Sequence, residues 1–158
     1  MRELARALIG VVTASAEAGA LDLLLVPGRA FACRVADDEL LLLCAPPVTD
    51  EVAREVATRL SALDPDALVT DTTDGWAAIS VVGEDARESF GRLSRLELPE
   101  AGFLQGEVVH VPAKVVAGDG RLLILVPSIW EAHLHDRAGK ALRHTGPLES
   151  RPWAVPAS

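Results

Sequence analysis

A chain of 158 residues, 49% hydrophobic and 24% charged, is long enough for one ordinary hydrophobic core and too apolar to stay disordered. Its formal net charge of -8 repels a phosphate backbone or an anionic membrane surface unless a local basic patch intervenes. No such patch is legible, because the arginines are scattered and the only lysines are Lys114 and Lys140, so neither nucleic acid nor membrane is an expected partner.

The opening segment, MRELARALIGVVTASAEAGA, imitates a secretory leader through Arg2, Arg6, a short apolar run and the small residues Ala14 and Ala16. The uninterrupted apolar part, residues 7–12, is shorter than a leader's hydrophobic region, and Glu3 sits where a leader is positive. No segment approaches the roughly 18 apolar residues of a membrane span, and a cytoplasmic location is expected.

VADDELLLLCAP, residues 35–46, reads as strand, turn at Asp37 and Asp38, strand and proline. Across such a hairpin Cys33 falls nearer Leu42 than Cys44, so the two cysteines are expected to be buried thiols and not a disulfide. Thr49 is placed to cap a helix opened by Asp50 and Glu51, with Val52, Val56, Leu60 and Leu63 as its buried stripe. LVTD, residues 68–71, is a short strand. Its Asp71 is expected to bond its own backbone as a turn or cap residue, with a ligand contact as the alternative.

WAAISVV, residues 76–82, is a strand whose Trp76 is expected in the core. After Gly83 a helix places Ala86, Phe90 and Leu93 on one face. Phe103 and Leu104 form an apolar loop segment, open to a partner or to the chain's own core. EVVHVPAKVVA, residues 107–117, reads as one alternating strand with Val109, Val111, Ala113 and Val115 on one side. Pro112 puts that strand at an edge or a bulge. VAGDGRLLILVP, residues 116–127, then repeats residues 35–46 without a gap, matching Val35 to Val116, Ala36 to Ala117, Asp38 to Asp119, Leu41 and Leu42 to Leu122 and Leu123, and Pro46 to Pro127. SIWE follows as a capping box between Ser128 and Glu131. Leu134, Ala138, Ala141 and Leu142 form the buried side of that helix, Trp130 is left exposed, and Gly146 and Pro147 stop it. Trp153 lies in a Pro-flanked tail.

The order predicts an α+β domain of antiparallel sheets with covering helices, made of two related β-β-α modules and a central β-α-β unit. It spans residues 1–146, with residues 147–158 as a C-terminal tail. A Gly-rich phosphate loop, a Cys-x-x-Cys pair, a His-Glu-x-x-His helix and a Gly-x-Ser-x-Gly elbow are all missing from the sequence. His133 and His135 fall about 200° apart around a helix. No catalytic and no metal-ligating residue is assigned, and Phe103, Leu104, Trp130 and Trp153 are the candidate partner contacts.

The stretch DTTDGWAAISVVGEDARESFGRL followed by LELPEAGFLQGEV, together with the second hairpin and LVPSIWEAHLHD, resembles the gamma subunit of heterotetrameric sarcosine oxidase. That family is itself similar to the folate-binding fold of aminomethyltransferases. The resemblance covers roughly residues 35–143, and it rests on the order and spacing of the motifs. It implies a non-catalytic companion subunit of a flavin-dependent amine-oxidising hetero-oligomer, in which other chains hold flavin, NAD and folate. The alternative it implies is a stand-alone folate-binding or one-carbon-transfer protein, with Asp71 as the carboxylate that would meet the pterin. A homodimer of the fold is a third option. The chain departs from the family by being shorter before residue 35 and by its Trp-bearing tail. Folate-binding relatives that serve iron–sulfur enzymes carry a Lys-Gly-Cys motif; the corresponding stretch here is Phe103, Leu104, Gln105 and Gly106, without a cysteine.

Overall fold

The computed structural model describes residues 2–156, which fall into two compact units: residues 8–73 with 152–156, and residues 2–7 with 74–151. β1 (Arg2–Leu8) opens the chain and finds its partner far downstream, in the second unit.

The unit of residues 8–73 runs β2 (Gly10–Ser15), α1 (Ala18–Leu23), β3 (Ala30–Ala36), β4 (Glu39–Cys44), α2 (Thr49–Ser61) and β5 (Leu68–Asp71). Its sheet has the order β3-β4-β2-β5 with antiparallel registers, the split β-α-β arrangement of ferredoxin-like units. Val12, Ala14, Leu40, Leu42 and Cys44 line one face of the sheet and share a buried cluster with Val52, Val56 and Leu60 of α2 and Leu21 of α1. Each Val or Leu side chain among them stabilises the fold by about 1.5–3 kcal/mol on burial. Leu63 does not extend the stripe: α2 ends at Ser61 and Leu63 is 42% exposed.

Thr49 is not the cap either. A 3-10 turn at Pro46–Val48 precedes α2, so Thr49 already lies in the helix and its Oγ1 donates to the Pro46 carbonyl at 2.8 Å. In the β3–β4 hairpin a bulge between Arg34 and Ala36 moves the register by one, so Cys33 faces Leu41 where Leu42 is expected. Cys44 faces Ala30, and both cysteines are buried and not joined in a disulfide.

The second unit contributes β6 (Trp76–Gly83), α3 (Ala86–Phe90), β7 (Gly102–Val108), β8 (Val111–Gly118), β9 (Arg121–Pro127), α4 (Glu131–Ala141) and β10 (Ser150–Pro152). Its six-stranded sheet is ordered β10-β1-β6-β9-β8-β7, so β10 and β7 cover the two edges. Ile79, Val81, Leu122, Ile124 and Val126 pack with Phe90 of α3 and with Leu134, Ala138 and Leu142. Trp76 opens β6 as expected but is only half-buried.

Residues 107–117 are not one strand. Val109 and His110 both take positive φ, 45° and 68°, and fold the stretch into the β7–β8 hairpin. Val111, Ala113, Val115 and Ala117 then face the core. Pro112 is tolerated although β8 is an interior strand, because β9 pairs with β8 only from Lys114 to Gly118. Phe103 and Leu104 belong to β7, opposite Val116 and Val115, and do not form a loop. The Ser128–Glu131 capping box is also unrealised: Ser128–Trp130 is a 3-10 turn without a side-chain cap, and Glu131 turns to Arg6 at 3.1 Å.

The two hairpin-plus-helix modules are equivalent, one position out of step with the sequence identities. Glu39 and Arg121 open the second strands, so Leu40, Leu42 and Cys44 correspond to Leu122, Ile124 and Val126, and every one of these faces a core. Likewise Val52, Val56 and Leu60 correspond to Leu134, Ala138 and Leu142, all buried. Pairing Leu41 with Leu122, as the identities invite, would set opposite faces against each other.

Candidate functional site

The segment after α3 and the β7–β8 turn form the two walls of a cleft of about 580 Å³, made of residues 91–96 on one side and 107, 109 and 110 on the other. Three bonds hold the walls in place. Ser94 Oγ donates to the Glu107 carbonyl at 2.6 Å, the Val109 amide donates to the Leu93 carbonyl at 2.8 Å, and the His133 Nε2–H donates to the Val109 carbonyl at 2.8 Å. His133 in turn meets Trp130 edge to face, with ring centroids 5.9 Å apart.

Val109 has the more costly backbone. A two-residue hairpin of this type favours Asn-Gly, and a β-branched residue at positive φ is an outlier that persists only where its surroundings over-determine it. Here the Leu93 carbonyl and His133 fasten its amide and its carbonyl. The comparable turn between β8 and β9 uses Asp119 and Gly120, at φ 53° and 67°, and carries no such strain.

Chemically the cleft is one of the arginine-bearing clefts on an acidic chain. It presents Arg92, Arg95 and His110, and among the described residues neither arginine has an ion-pair partner. The carboxylate that lines it, Glu107, lies 3.4 Å from His110 Nδ1. Its floor is apolar, with Leu93 buried and Leu96 half-buried. A second cleft, of about 620 Å³ in the other unit, holds Arg29, Arg54 and Arg59, and two of these three are ion-paired. There Arg29 pairs with Glu51 and Glu55, and Arg59 pairs with Glu55. The basic patch that sequence reading does not find is therefore present once the hairpin brings residues 92, 95 and 110 to one place.

The residues singled out from sequence lie elsewhere. Asp71 ends β5, exposed, and its Oδ1 accepts from the Thr73 amide at 3.0 Å and the Thr73 hydroxyl at 2.6 Å. Thr73 Oγ1 also accepts from the Val11 amide at 3.0 Å, so this turn is stitched to β2. Phe103 and Leu104 are half-buried on β7, with Leu104 against the core. Trp130 is 41% exposed beside Ile129 at 82%, a neighbour that sequence reading passed over. Trp153 is half-buried, and its amide donates to the Leu8 carbonyl at 2.9 Å. His133 and His135 point apart, one to Val109 and the other toward Glu131 at 3.9 Å. No group of three or more His, Cys, Asp or Glu among the described residues is placed to hold a metal ion. No helix among them is long and apolar enough to cross a membrane.

No protein-family model matches the sequence, and no curated protein does either. Solved structures do. A chain of heterotetrameric sarcosine oxidase from Corynebacterium sp. U-96, in complex with pyrrole 2-carboxylate, superposes with a TM-score of 0.72 at 13% identity, over 93% of this chain and 87% of that one. The glycine cleavage system aminomethyltransferase T from Bartonella henselae gives a TM-score of 0.69 at 12% identity, over 96% of this chain and 48% of that one. The chain thus spans about half the length of the aminomethyltransferase it matches. At these identities the likeness establishes the fold: α+β, with antiparallel sheets and few helices, as in both relatives.

Proposed function

We propose that this protein is a companion subunit of a sarcosine oxidase-like, flavin-dependent amine-oxidising assembly, similar to the gamma subunit of the heterotetrameric enzyme. The observation that carries the reading is the reciprocal coverage: nearly the whole chain matches nearly the whole of one chain from such an assembly. In this reading the chain performs no chemistry. Flavin, NAD and folate belong to partner subunits, and Ile129 and Trp130 supply the apolar, aromatic contact on which such interfaces depend. Native mass spectrometry of the protein purified from its own source tests this. A larger, yellow, multi-chain species is expected; a colourless, solitary chain overturns the proposal.

The aminomethyltransferase likeness favours a second reading, a folate-binding or one-carbon-transfer protein. Asp71 would meet the pterin through Oδ2, since Oδ1 is engaged by Thr73. Calorimetry with tetrahydrofolate is expected to show binding that Asp71→Asn weakens. Absence of heat and of any thermal shift removes this reading.

A further inference from the structure

We propose that the cleft between residues 91–96 and the β7–β8 turn binds a small organic acid, with its carboxylates at the arginine end and its apolar body over Leu93 and Leu96. The inference concerns the isolated chain and does not depend on any assembly.

Three features of the site carry it. Arg92 and Arg95 line the same cleft without an ion-pair partner among the described residues, whereas in the chain's other large cleft Arg29 and Arg59 are paired with Glu51 and Glu55. A guanidinium pairs with a planar oxyanion through two parallel hydrogen bonds, so two of them in one concavity match a ligand with two such groups. The volume, about 580 Å³, falls within the range of small-molecule sites, about 300–1,000 Å³.

Glu107 sets the polarity of the ligand. Its carboxylate stands at the His110 side of the same cleft, 3.4 Å from the ring, and repels a second anionic group there. The ligand is therefore anionic at one end only. The apolar floor adds a requirement that inorganic phosphate cannot meet, because phosphate has no carbon surface to lay on Leu93 and Leu96. The strained Val109 turn and its three tethers pre-form the cleft, which lowers the ordering cost of binding.

Phenylsuccinate, with two carboxylates and an aromatic body, is a suitable probe. Inorganic phosphate and phenethylamine separate oxyanion chemistry and apolar body from their combination. Titration into the isotope-labelled full chain, followed by amide NMR, is expected to shift signals of residues 91–96 and 107–110 for phenylsuccinate, more weakly for phosphate, and not at all for phenethylamine. Arg92→Gln and Arg95→Gln should each weaken phenylsuccinate about tenfold, and Glu107→Gln should tighten it. The three side chains are exposed, so well-dispersed spectra of the variants will verify that the fold is retained. Shifts scattered outside the cleft, insensitivity to both arginine variants, or no response at millimolar phenylsuccinate would overturn the proposal. Phosphate binding as tightly as phenylsuccinate would overturn the organic-acid assignment.

Discussion

Gly10 has no room for one more carbon: a Cβ there would lie 2.0 Å from Thr49 Oγ1 and 3.1 Å from Cys44 Sγ. Gly10→Ala is therefore expected to cost about 1–3 kcal/mol, the usual range for overpacking, read from the denaturant midpoint. Adding Thr49→Ala should recover part of the loss, so the two changes together cost less than their sum. A second single-residue effect concerns pH. His135 Nε2 is buried without a hydrogen-bond partner, and burial first, then the charge of Arg6, pushes its pKa below the usual value while Glu131 opposes them. The unfolded chain then binds the proton more readily than the native one, so this group's contribution is intact above about pH 6.5 and is lost as pH falls from there through the lowered native pKa. Comparing unfolding curves of the wild type and His135→Gln across that interval should show a shallower decline in the variant. Sequence reading resolves some of this scale and misses some. The Asp71 turn follows from local chemistry, since Asx turns need only neighbours two residues away. The two caps fail because 3-10 turns precede both helices, and because the partner of Glu131 is Arg6, at the other end of the chain.

At the level of elements, the repeat is legible in outline and misread in register. Asp38 and Asp119 invite superposition, yet Asp38 is the second residue of its turn and Asp119 the first, since β4 begins at Glu39 and β9 at Arg121. Patterns of period two are intolerant of such a slip, whereas the existence of strand, turn, strand and helix survives it. Leu60 and Leu142, equivalent in the two modules and almost inaccessible, are expected to lose about 2–5 kcal/mol each as alanine variants. Leu63→Ala, beyond the end of its helix, should stay within about 0.5 kcal/mol. Equilibrium unfolding of the three variants separates the core stripe from its apparent continuation. The first two strands are the clearest omission. The apolar run of residues 7–12 straddles the end of β1 and the start of β2, which enter different sheets, so its pattern resembles a truncated leader more than either strand. The β7–β8 hairpin is hidden for a related reason: Val and His are poor signals for a turn that ordinarily takes Asn-Gly.

For the molecule as a whole, the exposed pair Ile129 and Trp130 offers a direct test of assembly. Ile129→Asp should leave the stability of the isolated chain within about 0.5 kcal/mol and remove it from the multi-chain species in native mass spectrometry. Retention there would assign the interface to another surface. The fold class was legible from the order of elements alone. The arginine cleft was not, because its walls come from segments that meet only when the β7–β8 hairpin forms, with Val109 bonded to Leu93. The pairing of β1 with β6, Arg2 opposite Gly83, bears on how the protein is made. A ribosome delivers β1 before residues 8–73, and only afterwards the strand that receives it. The emerging polypeptide is therefore expected to close its four-stranded sheet while β1 remains a bare ribbon, shielded from adventitious pairing chiefly by the alternating charges of Glu3 and Arg6.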